Sequence, residues 1–328
     1  MNRNLCSDKE IADLRWDGTK VKAIMYHYVR EFSDSLPNFR FLDVVNFRKQ
    51  LSFFAEEYGF VERDEWLEFV CNGTMPKKQG KVVLTFDDAM SCHYDFVFPE
   101  LLERGLWGIF YVPTAPYRTN TMLDVHKIHC LCGAFNGGDL LAAASECLSP
   151  EMMPDSKKHE YKTMTYRSQK NYDGVTDFKR LLNYFIDYKH REKVIYEIAR
   201  VLNYSFQGSD FYVAKQSLIE MRDKGMIIGS HTDSHPVMSK LSYAQQLEEL
   251  KLSFSVLDNI ITNSVKTYCH PYGRQHDFNS ATLAALDTLD VAYSFMVEPR
   301  EITPQDRLTS KHYLPRFDCN NFKYGEAS

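Results

Sequence analysis

Residues 81–88 read Lys-Val-Val-Leu-Thr-Phe-Asp-Asp. The run 81–86 is rich in β-branched and apolar residues and lacks the polar alternation of a half-exposed strand. It predicts a strand buried on both faces, the kind found in parallel sheets covered by helices. The run ends in two adjacent acids, Asp87 and Asp88. Polar residues at the carboxyl ends of strands in α/β sheets and barrels converge on the mouth of the fold, where sites form. Two acids side by side there repel each other unless a cation or a proton intervenes, so they read as a metal ligand beside a base. In isolation such a pair is more often a solvated turn, and the functional reading gains weight only from the rest of the chain.

Working outward, residues 21–29 form a short apolar run, and 45–58 carry Phe47, Leu51, Phe54 and Tyr58 at helical spacing. Residues 96–104 predict a helix closed by Gly105, and 107–112 another strand. Helix and strand alternate again further on, with helices over 212–223, 243–261 and 279–289 and strands over 226–229, 267–270, 291–297 and 313–317. This pattern predicts an α/β fold, and the number of repeats favours a distorted (β/α) barrel of about seven units over a short open sheet. Between 116 and 206 the alternation lapses into helical stretches at 124–131, 139–147 and 177–202. We read 116–206 as a mostly helical insertion within a single domain spanning 1–328.

The 328 residues are 44% hydrophobic and 25% charged, an ordinary globular composition that excludes disorder, collagen and coiled coil. The 39 basic and 44 acidic residues leave a net charge of −5 without a long run of either sign, so neither nucleic acid nor an anionic membrane is an expected partner. Of eight cysteines only Cys130 and Cys132 lie close together, and C-x-C matches neither zinc nor redox spacing. Residues 1–16 are polar, without the apolar stretch of a signal peptide, and no apolar run approaches the ~18 residues of a membrane span. The expectation is a soluble, cytoplasmic protein with reduced thiols.

Two further clusters follow predicted strands. In His231-Thr232-Asp233-Ser234-His235 the histidines are four apart. They would share a face if the segment were helical, and neutral imidazoles there could bind one metal. Two histidines and an aspartate leave coordination positions open for water and substrate, as catalytic sites require. In Tyr268-Cys269-His270-Pro271-Tyr272-Gly273, proline followed by an aromatic and glycine fixes a tight turn that can aim the Tyr272 backbone N–H into a site as an oxyanion donor.

Thr85-Phe86-Asp87-Asp88, then Ser230 through Pro236, then Pro271-Tyr272-Gly273, in this order, resemble the signatures of the NodB-homology polysaccharide deacetylases. Met25-Tyr26-His27 resembles the opening strand of many members, and 241–257 the helix after their histidine motif. The resemblance covers about 21–111 and 212–297 and implies a metal-dependent hydrolase that removes acetyl groups from carbohydrates. It assigns Asp87 as general base, Asp88, His231 and His235 as metal ligands, and the Tyr272 N–H as part of the oxyanion hole. Zinc is the default cation, while cobalt, nickel, manganese or ferrous iron suit the same donors.

Two departures stand out. Many members carry an arginine three positions before the tyrosine of the third motif, where this chain has Cys269; Arg316 resembles an arginine near the C-terminus of members lacking it. The Leu-x-His that supplies the general acid in many members has no clear copy, since His312 lies in a different context. His27, His126 and His129 are the remaining candidates for contact with the substrate. The implied substrate is an N-acylated amino sugar. Because no export signal is read, we expect a soluble precursor, such as a sugar nucleotide, in the assembly of a bacterial surface polysaccharide. The departures keep open an inactive, carbohydrate-binding relative, and the ligand set alone also admits a non-haem iron oxygenase.

Overall fold

The computed structural model of the chain describes residues 20–74, 76, 81–154, 158–166, 171–206, 208–262 and 265–327. The stretch 1–16, read above as lacking a signal peptide, lies outside the described residues.

Seven parallel strands form one curled sheet: β1 (Lys22–Tyr26), β2 (Val82–Asp87), β3 (Ile109–Val112), β4 (Ile227–Ser230), β5 (Thr267–Cys269), β6 (Tyr293–Phe295) and β7 (Phe317–Asp318), in the order β6-β5-β4-β3-β2-β1-β7. All six residues of β2 are buried, as its unbroken apolar run requires. Successive side chains of a strand point to opposite faces. Val83, Ile109, Tyr111, Ile227, Cys269, Tyr293 and Phe295 accordingly share one apolar cluster, which Trp66 plugs, while Leu84, Phe86, Phe110 and Ile228 pack outward against helices. Trp66 stacks on Phe295 and its indole N–H donates to the Tyr293 hydroxyl at 3.2 Å.

The predicted strand over 313–317 is shorter than expected and does more. Leu314 bridges to Phe295 of β6, and three residues later Phe317 pairs with Ile24 of β1. This short segment therefore meets both edges of the curled sheet. Arg316 lies between its two attachments.

The region 116–206 is mostly helical, with helices at Asp124–Ala134, Gly137–Cys147, Lys158–Met164, Val175–Arg180 and Tyr188–Val201. The single helix expected over 177–202 is broken. After a π-turn at Leu181–Phe185, Ile186 turns extended (φ −67°, ψ 142°) and Asp187 caps the next helix by accepting the Lys189 N–H. Leu131, Leu140, Phe178, Leu182 and Ile195 give this helical region an apolar cluster of its own. Among the described residues no helix is long and apolar enough to cross a membrane.

Candidate active site

The alternation of β2 places Thr85 and Asp87 on the same face as Val83, and Asp88 then leaves the strand with a left-handed φ of 81°. The other two loops use the same device: Thr232, His235 and Tyr272 stand at φ 66°, 58° and 61°. Such backbone costs L-residues about 1–2 kcal/mol each, and its concentration at three strand ends marks a shape imposed by surrounding structure. The histidine motif is consequently a loop and not the helix its spacing allowed. Glu249, on the helix Tyr243–Ile260, holds that loop by accepting the backbone N–H groups of Asp233 and Ser234. Asp233 itself is taken by Arg118 at 2.6 Å and the Thr114 hydroxyl at 2.8 Å.

The loops bring together residues far apart in the chain. Nε2 of His231 and of His235 lie 3.5 and 3.4 Å from Oδ1 of Asp88. His231 Nδ1 is 2.8 Å from the Cys269 carbonyl, which can only accept, so Nδ1 carries the proton and the neutral ring keeps a bare lone pair on Nε2. Burial lowers both histidine pKa values despite the neighbouring carboxylates, so both rings are neutral at pH 7. Burial also raises the Asp88 carboxyl, but His126, His235 and His231 outweigh it and hold it well below the usual range. Asp88 Oδ1 has no hydrogen-bond partner among the described residues. A bare carboxylate oxygen facing a bare imidazole nitrogen is repulsive unless a cation sits between them, and deprotonated ligands are what a divalent metal needs. The donor set Asp88, His231 and His235 fits such an ion.

Asp87 has a different partner. Arg316 donates from Nη1 to Oδ1 and from Nη2 to Oδ2, both at 2.8 Å, and also reaches the Thr85 hydroxyl at 2.9 Å. Burial would raise the Asp87 carboxyl, yet the Arg316 charge and hydrogen bonds bring it down to about 2. The Cys269 sulfur lies 2.8 Å from Arg316 Nη2 and 3.5 Å from Asp87 Oδ2. Cys269 thus shares the pair's surroundings at the position where the resemblance expects arginine.

The remaining sequence candidates separate. His27 and His129 line a cavity of about 1620 Å³ that also exposes Asp87, Asp88, His231, His235 and Tyr272. His129 Nδ1 is 3.0 Å from the Tyr28 hydroxyl. His126 does not line the cavity: its ring is fully buried, with Nε2 3.3 Å from Asp88 Oδ2 and Nδ1 2.6 Å from the Tyr212 hydroxyl. The expected substrate contact therefore gives way to a contact with a candidate ligand. Arg316 borders the cavity, but its guanidinium is committed to Asp87. The Tyr272 hydroxyl donates to Asn183 Oδ1 at 3.1 Å, and its ring packs edge-on to His235.

Residues 144–294 match the family model described as polysaccharide deacetylase. The match holds the second and third motifs and takes in residues 144–206 of the helical region, while the first motif lies before it. No curated protein matches in sequence. Among solved structures, the chain is similar to the Streptococcus pyogenes deacetylase PplD in complex with acetate, with a TM-score of 0.56, 16% identity and 92% of each chain covered. It is also similar to a de-N-acetylase from Aggregatibacter actinomycetemcomitans, with a TM-score of 0.51, 15% identity and 91% and 94% coverage. A polysaccharide deacetylase from Bacillus cereus has a TM-score of 0.52 and 14% identity, over 92% of this chain and 65% of that one. At these identities the likeness establishes the fold.

Proposed function

We propose, from the match of residues 144–294 to the polysaccharide deacetylase model and the fold shared with solved deacetylases, that the chain is a member of that family and a metal-dependent hydrolase removing the N-acetyl group of an amino sugar within a glycan. One observation carries the reading: the orphaned Asp88 Oδ1 facing the Nε2 atoms of His231 and His235. A divalent cation held by these three residues, zinc by default, would polarise an acyl carbonyl and acidify a water.

The chain's own groups supply the rest. Asp87, ionised throughout the neutral range and tethered at both oxygens by Arg316, accepts the proton of the attacking water. The Tyr272 N–H, in a turn set by left-handed Tyr272 and Gly273, donates to the developing oxyanion. His27 and His129, both on the cavity wall, meet the sugar and its departing amine.

A cavity of about 1620 Å³ exceeds the roughly 300–1,000 Å³ of a typical small-molecule pocket. With Tyr28, Phe39, Tyr166 and Tyr172 among its walls, it supports a ligand of several sugars. The test is acetate release from N-acetylated oligosaccharides and sugar nucleotides, with added Zn²⁺ or Co²⁺ and again after chelation. Release that depends on metal and falls about 10²–10⁴-fold in Asp87→Asn is expected. An unaffected Asp87→Asn refutes the assignment. Metal binding without turnover of any substrate would favour the inactive, carbohydrate-binding alternative. Turnover confined to sugar nucleotides would place the reaction in the cytoplasm, on a precursor of surface polysaccharide.

A further inference from the structure

The two oxygens of Asp88 have different neighbours. Oδ1 faces His231 and His235, whereas Oδ2 lies 3.3 Å from Nε2 of His126. His126 comes from the first turn of the helix Asp124–Ala134, which is part of the insertion and not of the barrel. At this separation the contact is electrostatic, not a well-aligned hydrogen bond.

The ring's proton can be placed from its surroundings. The Tyr212 hydroxyl accepts the Leu123 backbone N–H at 3.0 Å and lies 2.6 Å from His126 Nδ1. A buried hydroxyl proton takes an acceptor, and Nδ1 is the acceptor within reach, so Nε2 carries the ring proton. The other side gives the same answer, because a bare Nε2 lone pair turned on a carboxylate oxygen 3.3 Å away would be repelled, whereas an N–H there is attracted. This tautomer is the reverse of the one the Cys269 carbonyl imposes on His231. A protonated Nε2 cannot ligate a metal.

Resting on the metal reading above, we propose that His126 is a positioning residue of the metal centre: its Nε2–H faces Oδ2 and holds it electrostatically, so that Asp88 presents Oδ1 alone to the cation. Tyr212 sets the ring and is itself tied to the residues just after Asp88. Met90 bridges to Tyr212, and the Val213 N–H donates to the Ala89 carbonyl at 2.9 Å. The helical insertion thereby reaches the cation site through one side chain. Partners that orient a metal ligand typically change affinity by about 10–100-fold when removed.

The experiment titrates the purified, metal-free full chain with Co²⁺ alone. His126→Ala is expected to raise the Kd about 10–100-fold. His126→Gln, which keeps an N–H donor, should recover part of the loss, and Tyr212→Phe should shift the Kd in the same direction as His126→Ala. X-ray absorption should count two imidazoles on cobalt in the parent and in every variant. Three imidazoles in the parent, or a Kd unchanged in both His126→Ala and Tyr212→Phe, overturns the inference alone. A parent that binds no Co²⁺ overturns the metal reading and this inference with it. If His126→Ala does not fold, Tyr212→Phe, which loses one oxygen atom, decides the question.

Discussion

Replacing Arg316 with methionine removes the only charge paired with Asp87 among the contacts described above. Arg316 is 0% exposed and Asp87 2% exposed, and two hydrogen bonds of 2.8 Å join them. The substitution strands a desolvated carboxylate, and breaking a buried pair from one side costs about 3–5 kcal/mol. The Thr85 hydroxyl loses one contact but still donates to the Ile24 carbonyl at 2.9 Å, so it adds little to the loss. Removing both charges, in Arg316→Met/Asp87→Asn, should return most of that stability, because exchanging a buried pair for uncharged groups is often close to neutral. Urea unfolding of the metal-free parent, both single variants and the double variant yields the coupling energy from a double-mutant cycle. A coupling of about 3 kcal/mol is expected. A coupling near zero, with the double variant no more stable than Arg316→Met, would refute the claim that Arg316 is there to neutralise Asp87.

Three other outcomes are open to measurement. Zn²⁺ or Co²⁺ at about 1,000 times its Kd should stabilise the parent by about 4 kcal/mol in thermal melts, and chelator or His235→Ala should abolish the gain; an equal gain in the variant would exclude His235 as a ligand. In Gly229→Ala, the new Cβ would meet Tyr111 Cε1 at 2.5 Å and Thr267 Cγ2 at 2.8 Å. A loss of about 1–3 kcal/mol is expected in urea unfolding, and a neutral result would show that this part of the sheet yields easily. Burial pushes the Asp277 carboxyl up to about 7. A folded value above the unfolded one means stability is lost as pH rises from about 4 to about 7, by up to about 4 kcal/mol. Asp277→Asn should therefore gain on the parent between pH 4.5 and 7.5; an unchanged difference across that window would contradict the shift.

The parts legible in the sequence are those where local pattern and final burial coincide. The apolar run of β2 is buried throughout, and its period of two fixes which face carries Thr85 and Asp87. The helices at Val44–Glu57 and Tyr243–Ile260 lie within one residue of their periodic patterns. The histidine motif misleads because a spacing of four suits a helix, whereas the chain is bent by Thr232 and His235 in conformations that their local propensity disfavours. Glu249 and Tyr212 gave no signal at all. Each acts across a gap, of 16 residues to Asp233 and 86 to His126, that no periodicity spans. The break at Ile186 was hidden because helical spacing continues on both sides of it.

The segment from Leu314 to Phe317 also constrains the order of assembly. A chain emerging from the ribosome presents Asp87 long before Arg316 exists, and an acid without its counter-charge resists being drawn away from water. Domains generally fold as units, and here the strand carrying Asp87 is not sealed until the residues that link Phe295 to Ile24 have been made. The Asp87 carboxylate is therefore completed only by an arginine 229 positions further along the chain, and a nascent chain stalled before Arg316 would hold every proposed metal ligand while its proposed base stood unguarded.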